Sequence, residues 1–102
     1  MKIIRVTYTT KAGYAAQNQK NIQQVMADLR ALNHSGMFYH ATVAEDGVSF
    51  THTAFYKSED DRKMLNELPS FIHFQQQLRA EGIETPPQQQ MLNFVGSSKE
   101  IL

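Results

Sequence analysis

Cysteine is absent from this 102-residue sequence, which excludes a disulfide framework, a thiolate metal site and a cysteine nucleophile. Neither sign of charge is in excess, because ten basic and ten acidic side chains cancel and no stretch clusters Lys or Arg. The chain therefore has no electrostatic footprint for nucleic acid or for an anionic membrane surface. We expect neither as a partner.

Long apolar runs are also missing. No stretch approaches the roughly 20 residues of a membrane-spanning helix, and the first residues lack the apolar core and cleavage site of a signal peptide. We therefore expect a cytoplasmic protein. With 41% apolar and 20% charged residues, residues 1–102 are expected to form one globular domain with its own core.

Signatures of several kinds of site are missing too. The five glycines are scattered and form no phosphate-binding loop. No pair of histidines or carboxylates has the spacing of metal ligands on one face of a helix or strand. A Ser-His-Asp arrangement has no local signature either. We therefore predict no bound metal and no nucleotide cofactor.

The alternation of residue types in 2–10 predicts a first strand, with Ile4, Val6 and Tyr8 on one face. A helix of roughly 18 residues is predicted from about Tyr14 to Leu32, with Asn33 or Gly36 at its C-terminal cap. Its core-facing stripe has the i, i+3, i+4, i+7 spacing of a buried helix face. The stripe consists of Ile22, Val25, Met26, Leu29 and Leu32.

Two further strand patterns flank Asp46-Gly47, the preferred pair for a two-residue type I′ hairpin turn. Such a turn pairs Glu45 with Val48, and this register decides which side chains share a face. One face is apolar apart from a histidine and two tyrosine hydroxyls, and we expect it to pack on the helices. It holds Met37, Tyr39, Ala41, Val43, Val48, Phe50, His52, Ala54 and Tyr56. The opposite face carries Phe38 and Phe55, which is unusual for a face in water.

The second half of the sequence predicts two short helices and a last strand. Ser58 and Asp61 have the spacing of a capping box at the start of one helix. Pro69 predicts the start of a second helix over about 69–81, which Gly82 ends. Residues 83–90 are predicted to form an extended crossing and residues 91–97 the last strand.

The resulting order is β-α-β-β-α-β, which predicts an α+β, ferredoxin-like fold with the helices on one face of an antiparallel sheet. The other face of the sheet, with its two phenylalanines, would then meet a second sheet. We therefore predict a homodimer through this face. Arg5 lies on the same face and is expected to find a partner such as Glu45 or an acidic group of the second chain.

This order and several motifs resemble the antibiotic biosynthesis monooxygenase-like family of the dimeric α/β-barrel superfamily, over nearly the whole chain. The motifs are "KAG" at 11–13, "EDGVSFTHTAFYKSEDD" at 45–61 and "LPSFIHFQQQL" at 68–78. The resemblance implies a dimeric α/β barrel. It also implies a monooxygenase that acts on a small aromatic or quinol-type metabolite without metal or flavin.

The sequence departs from the family at several positions. Ala54 stands where the family often has glutamate, and Ser70 where a histidine is common. The haem-degrading members use an asparagine on the first strand, a helix tryptophan and a helix histidine. This chain has no tryptophan and no asparagine among residues 2–10, which argues against haem degradation.

His52 is the first candidate for a catalytic residue, because a polar imidazole is predicted on the apolar face beside Tyr39 and Tyr56. It could take a proton from a phenolic substrate, and the hydroxyls of Tyr39, Tyr56 and Tyr8 could bind that substrate. The alternative is a core histidine bonded to a backbone carbonyl or a tyrosine.

The other three histidines fit a site less well. His73 points away from the stripe of Phe71, Phe74 and Leu78, His40 is predicted on the open face of the sheet, and His34 in an exposed turn. Three functions therefore stay open: a cofactor-independent oxygenase, a dimer that binds a small hydrophobic molecule without chemistry, and an isomerase or lyase on the same scaffold.

Overall fold

The computed structural model describes residues 1–102. The strands are β1 (Lys2–Thr10), β2 (Met37–Val43), β3 (Ser49–Tyr56) and β4 (Ile83–Leu92), and the helices are α1 (Ala15–Leu32), α2 (Glu59–Glu67) and α3 (Pro69–Gln77). All strand pairs are antiparallel, in the order β2-β3-β1-β4. The predicted α+β, ferredoxin-like order is confirmed, and Pro69 divides the second helical region in two as expected.

The core lies between the helices and one face of the sheet. Its twelve buried side chains are Ile4, Tyr8, Tyr14, Ile22, Val25, Phe50, Ala54, Tyr56, Leu65, Phe71, Phe74 and Leu78. Along β3 the residues that face the helices are all buried and their neighbours in the chain are all half-buried. This is the period-two pattern of a strand with only one face closed. None of the helices combines the length and apolar character needed to cross a membrane.

Helix α1 ends at Asn33, whose N–H still donates to the carbonyls of Leu29 and Arg30 and whose φ of 49° is left-handed, as predicted for a C-cap. The predicted core stripe is wrong at its C-terminal end, since Leu32 is 52% exposed. It continues instead in the other direction, because Asn18 and Asn21 are buried in the first half of the helix.

The β2–β3 hairpin has the predicted register, with Phe38 opposite Phe55 and Tyr39 opposite Ala54. The predicted type I′ turn is wrong, since only Gly47, and not Asp46, has a positive φ. The Asp46 carboxylate accepts the N–H groups of Val48 and Ser49, both at 2.9 Å. These bonds make a longer loop, closed by the Gly47 N–H on the Ala44 carbonyl.

The predicted last strand is also wrong, because β4 is formed by the segment expected to be a crossing, and residues 93–96 are outside it. Pro86 and Pro87 are accommodated by a register shift, since Thr7 pairs with Gln88 but Thr9 with Thr85. Two residues of β4 thus stand opposite the single residue Tyr8. An edge strand with such a bulge tolerates two residues that lack an N–H.

The predicted capping box at the start of α2 is present, with the N–H and hydroxyl of Ser58 both donating to the Asp61 carboxylate at 2.8 and 2.9 Å. On the open face of the sheet, the rings of Phe38 and Phe55 stack with centroids 5.8 Å apart. Arg5 does not pair with Glu45 as expected. Its guanidinium donates to the side-chain oxygen of Gln90, its direct neighbour on β4.

Candidate functional site

A cavity of about 280 Å³ lies on the helix side of the sheet, between the middle of the strands, α3 and the start of β4. It is open on one side, and aromatic and aliphatic side chains make up most of its wall. The lining residues are Val6, Tyr8, Tyr39, His52, Phe71, Phe74, Gln75, Leu78, Arg79, Ile83, Pro86 and Pro87. The size and the few polar groups are typical of a small-molecule site.

Three strands bring Tyr8, His52 and Tyr39 together at the floor of this cavity. On the sheet, Val6 and Ala41 lie directly opposite His52. Tyr8 lies two residues after Val6 on β1, and Tyr39 two residues before Ala41 on β2, so both are diagonal neighbours of the imidazole on the same face. Long side chains reach one another across such diagonals.

The two tyrosine hydroxyls occupy both ring nitrogens of His52. The Tyr8 Oη atom lies 2.8 Å from Nε2, and the Tyr39 Oη atom lies 2.5 Å from Nδ1. Asn18 extends the series from helix α1, because its Nδ2 donates to the Tyr8 oxygen at 2.9 Å. We call these four residues, Asn18, Tyr8, His52 and Tyr39, the hydrogen-bond chain.

Burial keeps the hydrogen-bond chain uncharged at neutral pH. His52 is only 5% exposed, and this loss of hydration, followed by a smaller electrostatic effect of nearby His40, lowers its pKa to about 4. Burial also raises the pKa of the Tyr8 and Tyr39 hydroxyls far above their ordinary value. The floor of the cavity thus offers neutral donors and acceptors.

Helix α3 supplies the aromatic wall. Pro69 starts the helix without needing an N–H partner, and the helical period then brings Phe71, Phe74 and Leu78 to the sheet. The Phe74 ring stacks on His52 with centroids 5.3 Å apart, and Phe71 meets Tyr39 edge-on at 6.2 Å. These contacts hold the imidazole and the Tyr39 ring in place.

The rim of the cavity is more polar. Arg79, in the wide helical turn after α3, is the only charged residue in the lining, and it is exposed and makes no ion pair. No carboxylate lines the cavity, and no group of three or more His, Asp or Glu side chains could hold a metal ion. Across the mouth, Pro86 and Pro87 form the bulged edge of the sheet.

Three of the four predicted site residues, Tyr8, Tyr39 and His52, meet in this cavity. Tyr56 does not. It is buried, 4% exposed, but lies four residues from His52 on the same strand, opposite Lys2 and Met37 and outside the lining. His34, His40 and His73 are all exposed as expected. His34 also pairs with Asp61, its Nε2 lying 2.5 Å from Oδ1.

Asn18 is the residue that the sequence analysis missed. It lies four residues before Ile22 and seven before Val25, so continuing the apolar stripe of α1 towards the N-terminus places it on the buried face. It is 0% exposed. The signal for the burial of Asn18 in the sequence was therefore a polar residue at the spacing of the apolar stripe of α1.

Neither a protein-family model nor a curated protein matches the sequence, but solved structures do. A candidate antibiotic biosynthesis monooxygenase from Nitrosomonas europaea superposes with a TM-score of 0.78 at 14% identity, over 94% of this chain and 100% of that one. The fold is that of antibiotic biosynthesis monooxygenases.

Two other structures extend this comparison. Rv0793 from Mycobacterium tuberculosis has a TM-score of 0.77 at 13% identity, over 96% of this chain and 98% of that one. SnoaB from Streptomyces nogalater, described as a cofactor-independent oxygenase, has a TM-score of 0.66 at 16% identity, over 97% and 98%. The resemblance predicted from the motifs is thus confirmed for the antibiotic biosynthesis monooxygenase fold. At these identities the likeness concerns the fold alone.

Proposed function

We propose that this protein is a cofactor-independent oxygenase that acts on a small aromatic or quinol-type metabolite in the cavity. The observation that carries the proposal is a mostly apolar, aromatic-walled cavity whose floor is an uncharged Tyr8–His52–Tyr39 cluster. SnoaB, which shares the fold, is described as a cofactor-independent oxygenase, and this supports the same class of chemistry.

The cavity suits a flat ring system. Phe71, Phe74 and the two prolines present apolar surfaces, and aromatic groups pack against such faces with geometric preference. Arg79, at the rim, adds the one positive charge. The ring would lie against the helix wall with an oxygen atom directed to the Tyr39 hydroxyl.

The reaction requires the substrate to be electron-rich, so its phenolic or enolic hydroxyl must ionise. The sequence pattern predicts His52 as the proton acceptor. An imidazole with a pKa of about 4, with both nitrogens already bonded to hydroxyls, is a weak base. We therefore assign His52 the role of holding Tyr39, which stabilises the substrate anion by a hydrogen bond while the proton leaves through the open mouth.

The chemistry then balances without a cofactor, because the substrate itself is the reductant. The anion passes one electron to O₂, and the resulting radical and superoxide combine to form a C–O bond at an activated CH₂ carbon. The hydroperoxide loses water and leaves a carbonyl group. Overall, CH₂ plus O₂ gives C=O plus H₂O, and the protein supplies orientation, a dry pocket and anion stabilisation.

We also propose that the protein is a homodimer through the open face of the sheet. Phe38 on this face is 44% exposed although its ring stacks on Phe55, and Leu92 at the end of β4 is also exposed. A second copy would cover this apolar surface.

The test is oxygen uptake by metal-stripped protein against a panel of hydroquinones and anthrones. We expect uptake with at least one anthrone, incorporation of one ¹⁸O atom per carbonyl formed, and a loss of about 10²-fold or more in Tyr39→Phe. His73→Ala, which changes an exposed histidine outside the cavity, should keep full activity. Oxygen uptake in Tyr39→Phe equal to that of the wild-type protein would mean that the reaction does not take place in this cavity.

Binding without chemistry is the second candidate function, and the absence of any carboxylate from the cavity lining favours it. It predicts that anthrones quench tyrosine fluorescence, with no oxygen consumed. The isomerase or lyase alternative needs a strong base at the substrate carbon, and the lining offers none, so it is the least supported of the three.

A further inference from the structure

We propose that Asn18 is a positioning residue that sets the direction of the hydrogen-bond chain, so that the Tyr39 hydroxyl donates its hydrogen into the cavity. The site then takes its ligand as an oxyanion, a phenolate or enolate. This ligand class rests on the proposed function. The direction of the hydrogen-bond chain does not depend on that function.

Asn18 forms the buried end of the hydrogen-bond chain. The Asn18 side chain is fully buried, its Nδ2 lies 2.9 Å from the Tyr8 oxygen, and its Oδ1 has no partner. An amide nitrogen only donates, so the Tyr8 oxygen accepts this bond. The single hydrogen of the Tyr8 hydroxyl is thereby left for its other neighbour, Nε2 of His52.

The bond from Tyr8 decides which nitrogen of the His52 imidazole carries the proton. If Nε2 accepts from Tyr8, the one proton of the neutral ring sits on Nδ1. Nδ1–H then donates to the Tyr39 oxygen at 2.5 Å. Tyr39 keeps its own hydrogen, which has no acceptor within the protein, and its side chain lines the cavity.

The opposite direction leaves a buried group unpaired. In that case Tyr39 would donate to Nδ1, and Nε2–H would donate to Tyr8. Asn18 and His52 would then both donate to the same oxygen, and the Tyr8 hydrogen would have no acceptor. Because an unsatisfied buried donor is costly, the direction from Asn18 to Tyr39 is favoured.

The consequence is selectivity for one protonation state of the ligand. Every bond of the chain donates towards the cavity, and successive bonds of this kind polarise one another. The last hydroxyl therefore favours an acceptor that carries negative charge, because an oxyanion accepts a stronger hydrogen bond than the oxygen of a neutral phenol, and the phenol hydrogen would find no acceptor at Tyr39. The positive charge of Arg79, which lines the cavity, also attracts an anionic ligand.

The first experiment measures the tautomer of His52 by ¹⁵N NMR of the ligand-free, histidine-labelled protein at pH 7. We expect a protonated Nδ1 and an unprotonated Nε2. In Asn18→Leu this preference should be lost and a mixture of both tautomers should appear. The matched control is Asn21→Leu, which removes another buried asparagine of α1 that bonds Gln77 and not Tyr8, and should leave the tautomer unchanged.

A protonated Nε2 in the wild-type protein would overturn the proposal, because it would mean that Asn18 presents its oxygen to Tyr8. This measurement needs no variant to fold. It is also independent of catalysis. The expected tautomer without oxygen uptake would support the direction of the hydrogen-bond chain and contradict the oxygenase. Oxygen uptake with a protonated Nε2 would support the oxygenase and contradict that direction.

The second experiment tests the ligand class with 4-nitrophenol, whose anion is detected by its absorbance. We expect the wild-type protein to bind the anion at least about tenfold more tightly than the neutral phenol, which lowers the apparent pKa of the bound phenol by about one. In Asn18→Leu the pKa should return towards its solution value, and in Asn21→Leu it should not. Equal binding of both forms, or binding of neither, would overturn the anion assignment.

Discussion

The two faces of the sheet are built from the same strands but differ in how far their side chains are buried. On the helix side of β3, Phe50 and His52 are 2% and 5% exposed, and both nitrogens of that histidine are bonded. On the open side, Phe38 is 44% exposed and Arg5 reaches only a glutamine. Alternation along a strand thus separates a closed face, which holds the candidate site, from an open face suited to assembly.

The histidines show what this separation does to one side-chain type. His52 and His40 lie on neighbouring strands, yet one is closed in by aromatic rings and the other is exposed. Burial, the larger cause of its lowered pKa, keeps the first neutral within the hydrogen-bond chain. The type of residue therefore predicts less about its role than the face that it occupies.

The largest expected effect is a difference in stability between the faces. Phe50→Ala should cost about 3–5 kcal/mol of unfolding free energy, because it leaves a cavity under the Tyr8 ring that now stacks on Phe50 at 5.5 Å. Phe38→Ala should cost less than about 1 kcal/mol at low protein concentration. Urea denaturation measures both, and equal costs would abolish the distinction between the faces.

Titration of His52 comes next. Its pKa is about 4 in the folded protein and 6.5 in a model peptide, so between these pH values the unfolded chain binds a proton that the folded one does not. Stability should therefore fall by about 3 kcal/mol as the pH drops from about 6.5 to about 4. Above pH 6.5 this contribution should stay constant.

Two variants separate the contribution of His52 to the pH dependence of stability from that of other titrating groups. Urea midpoints measured across that pH range should lose most of their slope in His52→Gln. They should keep most of it in His40→Gln, because His40 is exposed on the open face and burial is the larger cause of the lowered pKa of His52. A slope that survives in His52→Gln would mean that another group causes it.

The third effect is on assembly. Phe38→Glu places a charge on the open face and should weaken the proposed dimer at least about tenfold, or about 1.4 kcal/mol. Sedimentation equilibrium of the wild-type protein and the variant measures this. His73→Glu, a charge at an exposed helix position, is the control and should leave the dimer intact. A monomeric wild-type protein at micromolar concentration would contradict the proposal.

The smallest effect concerns the turn that keeps the two faces in register. Gly47 has a φ of +77°, so Gly47→Ala should cost about 1–2 kcal/mol. Gly13→Ala is the matched control, since its φ is ordinary and a Cβ there meets nothing within 4 Å. Its stability should be unchanged or slightly higher. Thermal unfolding of the two variants decides this.

Much of the fold could be predicted because local signals agreed with the tertiary structure. The Asp46-Gly47 pair and the alternating pattern together predicted the strand register, although the Asp46 side chain selects another turn. The edge strand β4 could not be predicted in the same way. Proline usually argues against a strand, and only the bulge opposite Tyr8 makes the pair at 86 and 87 compatible with the sheet.

The candidate site was predictable only in part for a related reason. Side-chain alternation places Tyr39, His52 and Tyr56 on one face, but it does not tell which of them a helix covers. Helix α3 leaves space over His52, whereas α2 packs against the end of β3 near Tyr56. The stripe of α1 indicates that Asn18 is buried, but its role was missed because its hydrogen-bond partner Tyr8 lies ten residues away in the chain.

The paired prolines of β4 have a consequence for the edge of the sheet. An edge strand normally exposes N–H groups to which another chain can add a strand, the route to aggregation. Pro86 and Pro87 have no such groups, and they lie at the mouth of the cavity. The part of β4 that lines the cavity is therefore also the part of the sheet edge that resists the addition of another strand.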